Sequence, residues 1–268
     1  MKVALCVIGR MENRYAVEFI EHYKGLGFDK IFVYDNNFGD EEHFEEVLQS
    51  YVNDGFVEVV NFRDIDVGQL KAYTDCYVKH NKEYDWIAFF DFDEYLTFVQ
   101  GCSIKEFLSN DVFNGYKCIH VNWMDYGDND LVYYEDKPLK ERFIKPLPFN
   151  LCLSYNFPEN YHIKSIVRGG IDNFKWNNNP HTPSMGLPCC DGNGNACGDS
   201  PFNKFDYSTC YIRHYHTKTI DEWLNIKCKR QCPDRPHWVN DINEDIKKFF
   251  KLNNVTVDKI KYLSEYIK

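Results

Sequence analysis

Apolar and polar positions change period repeatedly across residues 1–100. Runs rich in β-branched and aromatic side chains cover residues 3–8, 30–34, 57–61 and 85–90, which predicts four buried strands. Between them, residues 15–25, 44–53 and 69–81 space their apolar side chains for helices. Val17, Ile20, Tyr23 and Lys24 mark the first helix, and Gly25 and Gly27 stop it. The alternation implies an α/β fold with a Rossmann-like, mostly parallel central sheet and flanking helices. Ligand loops are expected at the carboxyl edge of that sheet.

The pattern changes after a short predicted helix at 103–108. Residues 116–123, 131–135, 163–167 and 209–216 read as strands. The stretch 177–203 is dense in Asn, Gly, Pro and Cys and has no period, so it is expected to be a loop rather than a core element. Helical spacing returns at 219–229, 243–251 and 258–268.

A chain of 268 residues is long enough for a sizeable core, and 44% hydrophobic with 27% charged residues excludes a disordered chain. A formal net charge of −10 argues against nucleic-acid binding but leaves a nucleotide substrate open, because a bound cation reverses the local field. The apolar opening run meets Arg10, Glu12 and Arg14 with no small-residue cleavage site, so it reads as a first strand rather than a signal sequence. No stretch approaches the roughly 18–20 apolar residues of a membrane span. The 11 cysteines are scattered and odd in number, so reduced thiols in the cytoplasm are expected. Cys189, Cys190, Cys197 and the Cys228/Cys232 pair are zinc candidates whose spacing fits no standard zinc pattern. Near the end, Lys247, Lys248, Phe249 and Phe250 would permit peripheral contact with the inner face of an acidic membrane, which Glu244 and Asp245 oppose.

The densest chemistry stands where the fourth strand ends, at Phe90-Asp91-Phe92-Asp93-Glu94. If strand geometry persists, Asp91 and Asp93 point to one face, and Glu94 to the other as a structural residue. Paired oxygen donors there suit Mg²⁺ or Mn²⁺ and, through the ion, a diphosphate; the competing reading is a solvated acidic turn. Arg10, Glu12 and Asn13 follow the first strand, and Asp35, Asn36 and Asn37 the second. Asp35 could accept from a base or ribose and Arg10 could face a phosphate, although Asp and Asn are also ordinary turn formers. Gln69, Tyr73 and Cys76 share a helix face. His214 and His216 alternate on a predicted strand and are the best source of a further metal donor. Lys218, Lys227 and Arg230 could neutralise a departing diphosphate.

Taken in order, these motifs resemble a glycosyltransferase of the GT-A type, close to the family-2-like and family-92-like enzymes. The series is Arg10-Met11-Glu12-Asn13, Glu18-Phe19 with His22, Tyr34-Asp35-Asn36-Asn37, and Gln69 with Tyr73, Asp75 and Cys76. It continues through the Asp91–Asp93 cluster, Trp123 with Gly127, Lys164-Ser165-Ile166-Val167-Arg168, His181, and His214-Tyr215 with Lys218 and Lys227. The resemblance implies a nucleotide-sugar donor, usually a UDP sugar, and Mn²⁺ or Mg²⁺ held by Asp93 and His214, with Asp91 at the metal or ribose. It implies donor contacts from Arg10, Asp35, Gln69, Asp91, Lys164 and Lys218. An oligosaccharide or glycolipid acceptor, in surface polysaccharide or lipopolysaccharide synthesis, is the expected partner. Asp125, in the loop after Trp123, is offered as the base if the enzyme inverts configuration. The alternative is a noncatalytic nucleotide-sugar or glycan-binding module. The implied division is a catalytic domain over 1–235, with a nucleotide-binding half (1–100) and an acceptor half (101–235), and a helical extension over 236–268. Residues 169–205 depart from the family pattern, with Gly169-Gly170 in place of a commoner Arg-Pro.

Overall fold

The computed structural model describes residues 1–149, 151, 159–176, 179–183, 185–230 and 241–267. Strand β1 (Val3–Gly9) alternates its side chains between two cores. Val3, Leu5 and Val7 face one side with helices α1 (Asn13–Gly25) and α2 (Glu45–Asn53). Ala4, Cys6 and Ile8 face the other, with α3 (Gln69–His80). Strands β2 (Lys30–Asp35), β3 (Val57–Asn61) and β4 (Trp86–Phe89) complete a parallel block in the order β3-β2-β1-β4. The α1 stripe is Ala16, Phe19, Ile20 and Tyr23, so Val17 is 41% exposed rather than part of the buried face.

Beyond β4 the sheet turns mixed. Strands β5 (Glu94–Phe98), β6 (Cys118–Asp125), β7 (Ile163–Arg168) and β10 (Cys210–His214) extend it in the order β4-β7-β6-β10-β5. Strand β7 runs antiparallel to both its neighbours, while β10 is parallel to β6. Helix α4 (Ile104–Leu108) starts at a capping box in which Ser103 and Glu106 bond reciprocally. Two expectations are corrected. Residues 131–135 form no strand, because their backbone bonds go to Asp221: its N–H reaches the Val132 carbonyl and its carboxylate accepts from Tyr134 N–H. Within 177–203, strands β8 (Cys189–Asp191) and β9 (Ala196–Cys197) form a hairpin that pairs in parallel with the start of β6. Strands that short show no alternation in a sequence.

After the short helix α5 (Leu139–Arg142) and α6 (Ile220–Glu222), a wide π-type turn covers Trp223–Lys227. Helices α7 (Ile242–Leu252) and α8 (Val257–Tyr266) close over it through Trp223, Leu224, Phe249, Tyr262 and Leu263. Phe249, offered above for membrane contact, is fully buried there. Among the described residues, no helix is long and apolar enough to cross a membrane.

Candidate functional site

Strand β4 stops at Phe89, one step before the acidic cluster, and residues 91–93 form a turn rather than more strand. Phe92 anchors that turn in the core, stacked on Phe44 with ring centroids 5.0 Å apart and packed on Phe19. The fit requires glycine at position 9, where a Cβ would sit 2.5 Å from the Phe92 ring. Ending the strand there removes the alternation on which the shared face of Asp91 and Asp93 depended. Each carboxylate reaches its own set of partners.

Asp91 turns toward α3 and β7. Its Oδ1 accepts from Gln69 Nε2 at 2.8 Å and from Tyr73 Oη at 2.9 Å, and its Oδ2 pairs with Lys164 Nζ at 2.8 Å. Glu94, expected on the opposite face, is drawn into the same network and is fully buried. Its carboxylate accepts from Asp91 N–H at 2.9 Å and Trp123 Nε1 at 2.8 Å, and Lys164 Nζ lies 3.6 Å away. Against the burial that would lower it, Asp91 and Glu94 raise the pKa of Lys164. Lys164 is therefore the permanent cation between Asp91 and Glu94, and it opposes the burial that pushes the Glu94 carboxyl well up.

Asp93 turns the other way, toward the end of β10. Its Oδ2 accepts from Lys227 Nζ at 2.9 Å, while its Oδ1 faces His214 Nε2 across 3.9 Å, too far for a hydrogen bond. Burial would raise this carboxyl, but Lys227, Lys218 and His214 together hold it well below the usual carboxylate range. His214 is oriented from behind, where its Nδ1 meets Asp125 Oδ1 at 2.7 Å, and from one face by Trp123, 4.0 Å away. Asp125 and His214 are register partners across β6 and β10, which is why residues so distant in sequence meet. Ligand atoms of Asp125, His214 and His216 all lie within 4.8 Å of one another, so this cluster is a candidate for holding a cation. Burial drives the pKa of His216 well below its ordinary value, leaving a neutral ring.

A small cleft of about 10 Å³, reached from Asp93 through its partner Lys227, is lined by Glu12, Tyr15, Lys218, Glu222, Lys227 and Arg230. Lys218 has a left-handed backbone (φ 54°) that lays its ammonium over the Tyr15 ring, 4.4 Å from the centroid. Among the described residues, no carboxylate lies within ion-pair distance of it, and burial pushes its pKa down to about 8. Arg230 pairs with Glu12, and Glu222 holds Arg142 through two bonds of 2.8 and 3.0 Å while accepting from Tyr15 Oη.

Other expected donor residues are engaged locally. Arg10 makes two bonds to Glu41, at 2.8 and 2.6 Å, and stacks on Phe38. Asp35 accepts from both nitrogens of Asn37 and from Arg63 at 2.9 Å, so it holds the loop after β2 in shape. Arg63, Glu222 and Arg142 were not anticipated from the sequence, where each reads as an ordinary surface charge. A capping pattern, Thr219 followed three residues later by Glu222, was the one signal available for Glu222.

Three comparisons bear on this arrangement. A family model described as glycosyltransferase family 92 matches residues 2–262. A glycosyltransferase family 92 protein of Ricinus communis is 21% identical over 114 residues, covering 42% of this chain and 20% of that protein. One of Oryza sativa subsp. japonica is 24% identical over 108 residues, covering 40% of this chain and 18% of the other. The match thus takes in about a fifth of the length of these curated relatives. Among solved structures, S. aureus TarS 1–349 in complex with UDP-GlcNAc aligns with a TM-score of 0.48 at 11% identity, covering 100% of this chain and 72% of that one.

Proposed function

The chain belongs to glycosyltransferase family 92 and has the GT-A architecture, and on that footing we propose that it transfers a sugar from a nucleoside diphosphate donor to a hydroxyl. The donor we assign is a UDP sugar, and the acceptor an oligosaccharide or glycolipid. One observation carries the reading: Asp93 and His214 face each other across 3.9 Å, and beside them is the buried ammonium of Lys218, which has no carboxylate partner among the described residues. A carboxylate oxygen and an imidazole nitrogen are a fitting pair for Mn²⁺, and more loosely for Mg²⁺. When bound, such an ion offsets charge developing on the diphosphate.

The chain's own residues supply the rest. Lys218 and Lys227 would offset charge on the departing diphosphate. His214 turns Nδ1 to Asp125 and so presents Nε2 toward Asp93, which makes Asp125 a positioning residue here. Gln69, Tyr73 and Lys164 fix Asp91 at the ribose side, and Asp35 and Arg10 shape the loops that border the nucleoside. Residues 1–235 form the catalytic body in this reading, with 236–268 as a helical extension whose α7 and α8 pack on Trp223 and Leu224.

The test is co-binding. UDP and Mn²⁺ together should raise the melting temperature beyond the sum of their separate effects, where a single ligand at a hundredfold excess over its Kd adds about 2.7 kcal/mol of stability. Asp93→Ala should abolish that excess together with donor hydrolysis. A full shift with UDP alone would remove the cation from the scheme. Binding without hydrolysis or transfer of any nucleotide sugar would instead establish a noncatalytic module.

A further inference from the structure

Away from the donor cleft, the start of β6 carries a second cluster of donors. Cys118 and His120 stand two apart on the strand and so share a face. Cys189 of β8 is the register partner of Cys118, and Cys197 of β9 is the register partner of Cys189. Three adjacent strands therefore deliver four donors to one side of the sheet. Ligand atoms of Cys118, His120 and Cys189 lie within 4.8 Å of one another, and Cys197 Sγ is 3.4 Å from His120 Nδ1. Tetrahedral zinc, with Zn–S about 2.3 Å and Zn–N about 2.0 Å, places its ligand atoms roughly 3.5–3.8 Å apart. The far ring nitrogen of His120 faces Thr182 Oγ1 at 3.4 Å, the outer contact that orients a ligating imidazole.

We propose that Cys118, His120, Cys189 and Cys197 hold one structural zinc ion that staples the β8–β9 hairpin to β6. Three soft sulfurs and one imidazole select zinc over the hard cations suited to the Asp93 site. The set differs from the one suggested by sequence. Cys190 faces the opposite core, Cys228 packs in the C-terminal cluster, and Cys232 lies outside the described residues. Cys118 and His120, from a distant strand, take their places. The site is independent of the transferase reading.

Metal analysis of the full chain, purified under reducing conditions without chelator, should give about one zinc per chain. Cobalt(II) exchanged into the site should show thiolate charge-transfer absorption. Cys189→Ser and Cys197→Ser should lower zinc content at least tenfold, whereas Cys190→Ser, on the same hairpin but the opposite face, and Asp93→Ala should keep it. A strong chelator should lower the melting temperature, with recovery on adding zinc but not magnesium. If the serine variants fail to fold, wild-type metal content and the cobalt spectrum still decide. The proposal is overturned by a zinc-free protein that takes up none on reconstitution, by a Cys118–Cys189 disulfide in peptide maps, or by equal zinc loss in Cys190→Ser.

Discussion

Strand β6 runs about 23 Å from Cys118 to Asp125, at a rise of roughly 3.3 Å per residue, and joins two clusters of opposite chemistry. At its carboxyl end the donors are oxygens, and the protein supplies their counter-charges: Lys164 between Asp91 and Glu94, Lys227 on Asp93. At its amino end the donors are three sulfurs and an imidazole: burial pushes Cys118 up and Cys197 up to about 12, while hydrogen bonds from Cys118 and His120 bring Cys189 down to about 5. The oxygen end is charge-balanced by side chains and stays assembled between encounters with a donor. At the sulfur end only Cys189 is held down by its neighbours, and the other two thiols would give up their protons as an ion binds.

The sharpest way to break this contrast is to remove the protein's own cation from the oxygen end. Lys164→Met leaves buried Glu94 and partly exposed Asp91 without their cation and should cost about 3 kcal/mol of stability in urea titrations, the low end for a broken buried pair because water reaches Asp91. A loss of less than about 1 kcal/mol would show that the lysine does not balance the pair, since that is the range of exposed ion pairs. Next in size is the support behind His214. Asp125→Asn should weaken Mn²⁺ binding about 10–100-fold in titration calorimetry without altering zinc content. Equal loss of both metals would mean that the two ends of β6 are not separate. The smallest effect is in pH. Lys218 is charged below its pKa of about 8, so UDP affinity should be constant under that pH and fall above it. Bound diphosphate raises the lysine's pKa in the complex, which sets where the fall levels off, and Lys218→Arg should keep affinity flat through the same range. A profile unchanged by that substitution would take Lys218 out of the cleft's electrostatics.

What could be read from the sequence follows the same division. The parallel block β1–β4 was legible because each of its strands is a single apolar run between helices of clear period. The oxygen site was half legible. Asp91, Asp93 and His214 stood out as residue types at strand ends, yet continuing β4 through Asp91 sent Glu94 to the wrong face. A turn pinned by Phe92 in the Gly9 gap leaves no trace in a hydrophobicity pattern. The roles of Lys164 and Trp123 depend on strand order, in which β7 lies beside β4 and β6 comes next, although β6 precedes β7 in the chain. The thiol corner was illegible as a set. Its four donors lie on three strands with none of the close pairing of a zinc motif, and the strands of its hairpin are two and three residues long.

The π-type turn over Trp223–Lys227 carries a further meaning. Cys228 N–H reaches back to the Trp223 carbonyl, five residues earlier, so this turn holds one residue more than α winding would. Each residue of an α-helix rotates the chain by about 100°. Removing that extra residue would swing everything beyond it by about that angle, carrying Lys227 off Asp93 and Arg230 off Glu12. Chain length is under as tight a constraint there as residue identity. An alignment of working relatives should carry no gap between Thr219 and Arg230, whatever substitutions it shows.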